Sequence, residues 1–236
     1  KCIYAHGWWT VEGQKMSKSA GNVIAPSDLV NDYGLDQSRY FMLREVPFGN
    51  DGDFSRDALI QRMNSDLANA LGNLVQRTLS MIFKNCDAAI PECGKLSDED
   101  RTLLDMAGLN LLEQTRDHLK TLSFNRALEN IWRVIGEANA YVDNQAPWGL
   151  KKTDPERMAT VLYVLAETIR NIALILQPVM PDAMEKILDQ LKLDENARTF
   201  EHIGAQHRLE SGTSIDKPEG VFPRYVEEKE TADDAG

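Results

Sequence analysis

The sequence predicts a mainly α protein in which a short β segment precedes an α-helical bundle. Three observations carry that expectation. From Ser55 onward, Ile60, Met63, Leu67, Leu71, Leu74 and Ile82 recur at helical spacing. Helix-start signals follow at Ser97, Ser123, Asp154 with Pro155, and Pro181. Aromatic and β-branched residues concentrate in "CIYAHGWWTV", before residue 14.

Taken in order, residues 2 to 14 have β character, with "EGQ" supplying a turn. The stretch "KMSKSAGN", residues 15 to 22, is a flexible loop of small residues. Pro26 and Ser27 announce a short helix through Asp32, stopped by Gly34, and a second runs from about Gln37 to Val46 before Pro47. "PFGNDGDFS" reads as a loop by its Gly, Asp and Asn content. Arg56 to about Lys84 reads as one long helix. Ser97 and Asp100 form a capping-box start for a helix over about Asp98–Leu122. Ser123 caps a third through about Gln145, Asp154 and Pro155 open a fourth ending near Gln177, and Pro181 opens a fifth through about Leu191. After Leu193 the periodicity weakens, and "GVFPRY" is expected to pack back as an extended segment.

Bulk properties narrow the classes. The chain has 236 residues, 42% hydrophobic and 27% charged, enough for one large domain or two modest ones. No apolar run is expected to reach the length of a membrane span, so no membrane partner is expected. The net charge of −11 argues against a generic nucleic-acid binder and leaves room for one local basic or aromatic patch. Much of the acidity lies in "YVEEKETADDAG", which reads as a solvated end. Cys2, Cys86 and Cys93 are odd in number and include no CxxC pair. They read as free thiols in a reducing cytoplasm rather than a disulfide framework or zinc knuckle.

Two constellations carry chemistry. Lys15 and Lys18 place compact, mobile charges in a Ser/Ala/Gly loop, as a triphosphate clamp would. A bare KxxK is more often a pair of solvated lysines. Asn73 and Arg77 are four residues apart, on one helix face, with Leu67, Leu71 and Leu74 pointing elsewhere. Such a pair can read and stack on the edges of unstacked bases, or simply line a solvated face. Trp148 follows Pro147 in what reads as a loop between two helices. It is either a stacking platform for a single-stranded base or an inter-helix plug. Trp132, Phe83 and Tyr141 read as packing residues. His118, His202 and His207 show no metal-ligand spacing. Asp51 and Asp53, among Gly49, Asn50 and Gly52, read as a turn.

"KMSKS" is identical to the signature of class I aminoacyl-tRNA synthetases, and "AGNVIAPSDLVNDYGLDQSRYFMLRE" also resembles the sequence that follows it there. "GNLVQR", residues 72 to 77, and "NQAPWGL", residues 144 to 150, look like the anticodon-reading pieces of the methionyl-tRNA synthetases. The chain therefore resembles the C-terminal part of that family, bacterial type, over nearly its whole length. The resemblance implies the end of a class I (Rossmann-type) catalytic domain with its linking segment over residues 1–53, a helical anticodon-binding domain over 54–200, and a C-terminal extension over 201–236. It implies a cytoplasmic methionine-tRNA ligase that makes methionyl-adenylate from methionine and ATP with Mg2+, then charges the methionine tRNA bearing the CAU anticodon. By the same resemblance, Lys15, Met16, Ser17, Lys18 and Ser19 form the signature loop. Lys18 and Lys15 hold ATP, and His6 and Gly7 lie near where adenine is seated; Trp8 and Trp9 remain equally open to a packing role. Asn73, Arg77 and Trp148 match the three anticodon-reading residues. The family's His-Ile-Gly-His signature and methionine pocket belong to an upstream N-terminal catalytic part, so this chain alone is expected to be catalytically incomplete and to hold no zinc. Another class I synthetase (leucine, valine, isoleucine or cysteine type) and a non-catalytic tRNA-binding module are the alternatives.

Overall fold

The computed structural model describes residues 3 and 5–226; Cys2 and the acidic residues 227–236 lie outside the described residues. The β segment is smaller than expected at its start and larger at its end. β1 (Trp9–Val11) and β2 (Gln14–Lys15) form an antiparallel hairpin, and β3 (Gly52–Phe54) pairs parallel with β1, giving the order β2-β1-β3. β3 falls inside the stretch read as a loop. Its three residues lack the β-branched side chains that mark a strand in sequence, and pairing with β1 makes it one. Gly52 is required there, because an added Cβ would lie 2.7 Å from Val46 and 3.2 Å from Trp9. Asp53 sits on this strand rather than in a turn. Its carboxylate accepts from the Thr10 hydroxyl at 2.5 Å and from the Gly13 N–H at 2.8 Å, and those bonds hold its pKa below the ordinary carboxylate value. Asp51 accepts from the Trp8 N–H at 2.7 Å.

Two short helices follow, α1 (Pro26–Tyr33) and α2 (Leu35–Glu45). Neighbouring side chains on α2 enter different cores: Tyr40 joins the large core of the bundle and Phe41 the small core with Leu29, Phe54, Leu59 and Met63. Tyr40 donates to the Asp66 carboxylate at 2.7 Å and packs on Trp132 with ring centroids 4.4 Å apart. Asp36 accepts the Ala183 N–H at 2.6 Å, while Arg39 donates to the carbonyls of Pro178 and Val179 at 2.6 and 2.9 Å. α2 is therefore bonded to the bundle at several points along its length.

The helix expected over 56–84 is one rod with a change of pitch inside it: α3 (Arg56–Arg62), a π-helical stretch Met63–Gly72, and α4 (Asn73–Asn85). Apolar spacing cannot separate these, since Leu67, Leu71 and Leu74 are buried across the change. The helix expected over 98–122 is two, α5 (Asp98–Ala107) and α6 (Leu109–Lys120), parted at Gly108, where Leu111 and Leu112 begin a new turn on the Gly108 carbonyl. The Ser97–Asp100 capping box is present. Ser123 precedes α7 (Phe124–Gln145) without a side-chain cap; its hydroxyl meets Thr121 instead. A short helix, α8 (Pro147–Thr153), stands where a loop was expected. Asp154 caps α9 (Pro155–Leu176), and α10 (Pro181–Gln190) follows.

α9 is long and apolar enough to cross a bilayer by length and composition, contrary to the expectation from the sequence, and 94% of its most apolar window is buried inside the bundle. It is the central helix, packed by α4, α5, α7, α8 and α10. Its one fully buried cation, Arg170, is matched by Glu167 and by the His202 carbonyl, as a buried charge requires. Beyond α10 the chain forms three short 3₁₀ turns and then an extended run. Phe222 is buried in the large core. Tyr225 lies on Tyr33 and exchanges two hydrogen bonds with Asn64.

Candidate nucleotide and nucleic-acid sites

The lysine loop grows out of the β1–β2 hairpin. Lys15 ends β2, Met16 and Ser17 continue without regular structure, and Lys18 to Gly21 form a turn closed by the Gly21 N–H on the Lys18 carbonyl at 3.2 Å. Gly21 has φ +67°, a conformation that glycine adopts without strain. The loop is tied internally. Asn22 Oδ1 accepts the Ser17 N–H at 2.8 Å and Asn22 Nδ2 donates to the Lys15 carbonyl at 3.2 Å. Ser17 Oγ accepts the Ala20 N–H at 3.1 Å and lies 3.3 Å from Ser19 Oγ. Ser17 and Asn22 thus shape the loop, while Lys15, Lys18 and Ser19 are exposed; neither lysine makes an ion pair among the described residues. Two uncommitted ammonium groups on a backbone fixed by amide bonds can receive a phosphate chain.

His6 and Gly7 lie on the stretch leading into β1. His6 Nδ1 is 2.6 Å from the Gly7 carbonyl. Gly7 permits a close backbone approach, because a Cβ there would sit 2.2 Å from the Asn50 carbonyl oxygen. Trp9 packs on Phe41 with centroids 6.4 Å apart, whereas Trp8 is 80% exposed and is not a packing residue among the described residues.

The second constellation lies where α4 meets the end of α7. Asn73 is exposed at the first turn of α4 and its side chain makes no hydrogen bond among the described residues. Arg77, one turn on, is held by α7: its guanidinium donates to Asn139 Oδ1 at 3.1 Å and to Asp143 Oδ1 at 3.2 Å, and its buried Nε has no partner. Asn139 in turn donates to the carbonyls of Ala70, in the π-helical stretch, and Ile135 at 3.2 and 2.9 Å. One amide therefore ties together Arg77, the irregular stretch before Asn73, and α7. Three residues past α7 stands Trp148, 56% exposed, on the first turn of α8. Ala146, between the two helices, has φ +43°, an unfavourable left-handed conformation for a residue with a Cβ. It turns the chain sharply while the buried Pro147 anchors the turn.

The last turn of α7 is anchored from its other side. Tyr141 donates to Asp100 at 2.6 Å, Arg157 donates to both Asp100 oxygens at 2.5 and 2.8 Å, and Gln145 joins Glu99 and Arg157. Burial alone would raise the Asp100 pKa, but the bonds from Arg157, Tyr141 and the Ser97 N–H outweigh it and bring it down to about 2. Among the described residues no cluster of His, Cys, Asp and Glu could hold a metal ion, and His202 and His207 meet only as packed rings.

Comparison with known proteins joins these sites. The family described as tRNA synthetases class I (M) matches residues 1–79, and the anticodon binding domain of methionyl tRNA ligase matches residues 90–234. The chain belongs to the methionyl-tRNA ligase family. Methionine--tRNA ligase of Rhizobium meliloti is 50% identical over 226 residues, 96% of this chain and 44% of that protein. The Mycobacterium tuberculosis enzyme is 48% identical over 227 residues, 94% of this chain and 43% of that protein. A crystal structure of the free M. tuberculosis methionyl-tRNA synthetase superposes with a TM-score of 0.87 at 44% identity, covering 95% of this chain and 44% of that one. The same enzyme bound by methionyl-adenylate gives 0.88 at 47% identity, covering 93% and 43%. The chain thus spans less than half the length of the relatives it matches. Its fold is the end of a class I catalytic domain followed by a helical anticodon-binding domain.

Proposed function

We propose that this chain supplies the triphosphate-clamping loop and the anticodon-reading bundle of a methionine-tRNA ligase. Family membership along the chain supports this reading, and so does the presence in one chain of two exposed, uncommitted lysines on the hairpin loop and, on the bundle, an exposed indole and an arginine braced by α7. In the proposed reaction a methionine carboxylate oxygen attacks the α-phosphorus of Mg-ATP. The bond from that phosphorus to the β,γ-diphosphate breaks, and methionyl-adenylate and pyrophosphate result. A hydroxyl of the tRNA's 3′-terminal ribose then attacks the methionyl carbonyl, the acyl–phosphate bond breaks, and AMP leaves with the ester formed.

Lys18, seconded by Lys15, contributes positive charge to the β- and γ-phosphates as charge builds on the leaving pyrophosphate, an interaction worth most in the transition state. Met16, Ser17 and Ser19 set the course of the loop on which these lysines ride. The magnesium ion arrives with the substrate ATP. His6 and Gly7 border the adenine position, Gly7 by letting two backbone segments approach. The methionine pocket belongs to the upstream catalytic part.

At the other end, Asn73, Arg77 and Trp148 read the CAU anticodon. Splayed RNA bases expose both their edges and their faces. The Asn73 amide offers donors and an acceptor, Arg77 a fork of donors already aimed by Asn139 and Asp143, and Trp148 a surface for stacking. The experiment is methionine-dependent ATP–pyrophosphate exchange and tRNA charging, measured on the same preparations of the full-length protein. Lys18→Ala should lose both activities and Trp148→Ala only the second. Loss of both in each variant would refute the division of labour.

A further inference from the structure

A cleft of about 210 Å³ lies where α5 gives way to α6, against α9 and the turn at Gly204. None of its lining residues belongs to the lysine loop or to the Asn73, Arg77 and Trp148 constellation. α6 starts at Gly108 without a side-chain cap, and the N–H groups of Leu109 and Asn110 have no acceptor among the described residues. Both residues line the cleft. Free N–H groups at a helix start favour an anion. Two side chains from other elements add donors to the same space. Asn171, on α9, is 2% exposed. Arg170 donates to its Oδ1 at 3.1 Å, which fixes the way the amide points. Its Nδ2 has no hydrogen-bond partner among the described residues and faces the open space of the cleft. A donor so nearly buried is costly to leave unpaired. Arg208 is half-buried, lines the cleft, and makes no hydrogen bond or ion pair among the described residues.

Two carboxylates also line the cleft. Glu167 is already neutralised, because both its oxygens accept from Arg170 and Oε2 also takes the Leu209 N–H at 3.1 Å. Asp105 is exposed and has no partner among the described residues. It is the one uncompensated negative charge beside this group of donors, and it selects among anions.

We propose that this cleft binds inorganic phosphate. Phosphate oxygens accept from the Leu109 and Asn110 N–H groups, from Asn171 Nδ2 and from the Arg208 guanidinium. The hydroxyl that phosphate still carries at neutral pH donates to the Asp105 carboxylate. Sulfate and the phosphodiesters of a nucleic-acid backbone carry no such proton, and they would meet Asp105 as one bare negative charge against another.

The test is calorimetric titration of the chain with sodium phosphate in a phosphate-free buffer at pH 7.5. The Leu109 and Asn110 backbone amides and the Asn171 side-chain amide are followed by NMR. Saturable binding is expected with a Kd on the order of 1 mM, with those three resonances moving together. Sulfate and dimethyl phosphate should bind at least about tenfold more weakly. Arg208→Gln should weaken phosphate about fivefold or more, whereas Arg116→Gln, at an exposed position further along α6, should leave it unchanged. Asp105→Asn, also at an exposed position, should bring sulfate to within about twofold of phosphate. No saturable phosphate binding, sulfate bound as tightly as phosphate by the parent, or an Arg208→Gln protein that binds phosphate like the parent would each overturn the proposal.

Discussion

Asn22 Oδ1 takes the Ser17 backbone N–H at 2.8 Å, and the same side chain gives its amide to the Lys15 carbonyl at 3.2 Å. An asparagine outside the KMSKS string thus fixes the course of the loop that carries both lysines. Asn22→Ala removes both bonds and leaves the lysines themselves intact. In the full-length protein it should slow pyrophosphate exchange about tenfold to a hundredfold, because a misplaced catalytic group loses most of its advantage. Asn22→Asp keeps the acceptor for Ser17 and loses the donor for Lys15, so it should fall between the two. Steady-state exchange rates over a range of ATP concentrations check this ordering.

Lys18→Ala should cost about 2–4 kcal/mol of barrier lowering in adenylate formation, with methionine affinity nearly unchanged. Exchange kinetics at varied methionine provide the check. A raised methionine KM with unchanged kcat would place Lys18 in ground-state binding instead.

Arg77 is already held by Asn139 and Asp143, so its aim depends on α7 as well as on α4. Arg77→Ala and Trp148→Ala should each reduce charging of the methionine tRNA at least about tenfold while sparing methionine activation. If both residues contact one loop of RNA, as proposed, their losses should not add. Asn139→Ala should reproduce part of the Arg77 loss without touching RNA. Charging and exchange assays on the single and double variants test all three statements.

The turn that presents Trp148 also carries an acid-sensitive anchor. The folded pKa of Asp100, about 2, lies below the value near 3.9 of an unfolded aspartate. Its contribution to stability is therefore full above about pH 4 and is lost as pH falls through 2. Denaturant midpoints should drop over that window by an amount equivalent to about 1–2 kcal/mol. In Asp100→Asn that pH dependence should vanish. At neutral pH the variant should be about 2–4 kcal/mol less stable than the parent, because Arg157 and Tyr141 lose a buried acceptor of full charge. Chemical denaturation at pH 7, 4 and 2.5 reads both effects.

How far the sequence reached follows from the physics of each element. Helices with an apolar stripe and a side-chain cap were legible, as at Asp98 and Pro155, because both signals are local. The π-helical stretch was hidden, since a change in pitch leaves the apolar residues apolar; only Asn139, distant in sequence, reveals what holds the Ala70 carbonyl. β3 was hidden because three residues of Gly, Asp and Phe become a strand through their neighbour. Trp148 stands out in the sequence as an indole following a proline, but the helix that carries it does not, because Ala146 bears no mark of its left-handed conformation. In the lysine loop the charged residues stood out, while Asn22, which shapes the loop, looked like ordinary turn composition. Asn139 and Asp143 share an α7 face at i,i+4 spacing, a signal of the kind that exposed Asn73 and Arg77, but nothing in the sequence paired the two faces.

If the bundle reads a specific anticodon, as proposed, this chain by itself should distinguish one RNA loop from another. Fluorescence anisotropy would compare two RNA stem-loops of identical stem at one stated salt concentration, one with a CAU loop and one with those three bases replaced. The CAU stem-loop should bind at least about tenfold more tightly, and Trp148→Ala should remove most of the difference while leaving the salt dependence nearly unchanged, since an indole carries no charge to pair with phosphate. Equal affinity for the two loops, or a preference for CAU that survives loss of the indole, would contradict this reading.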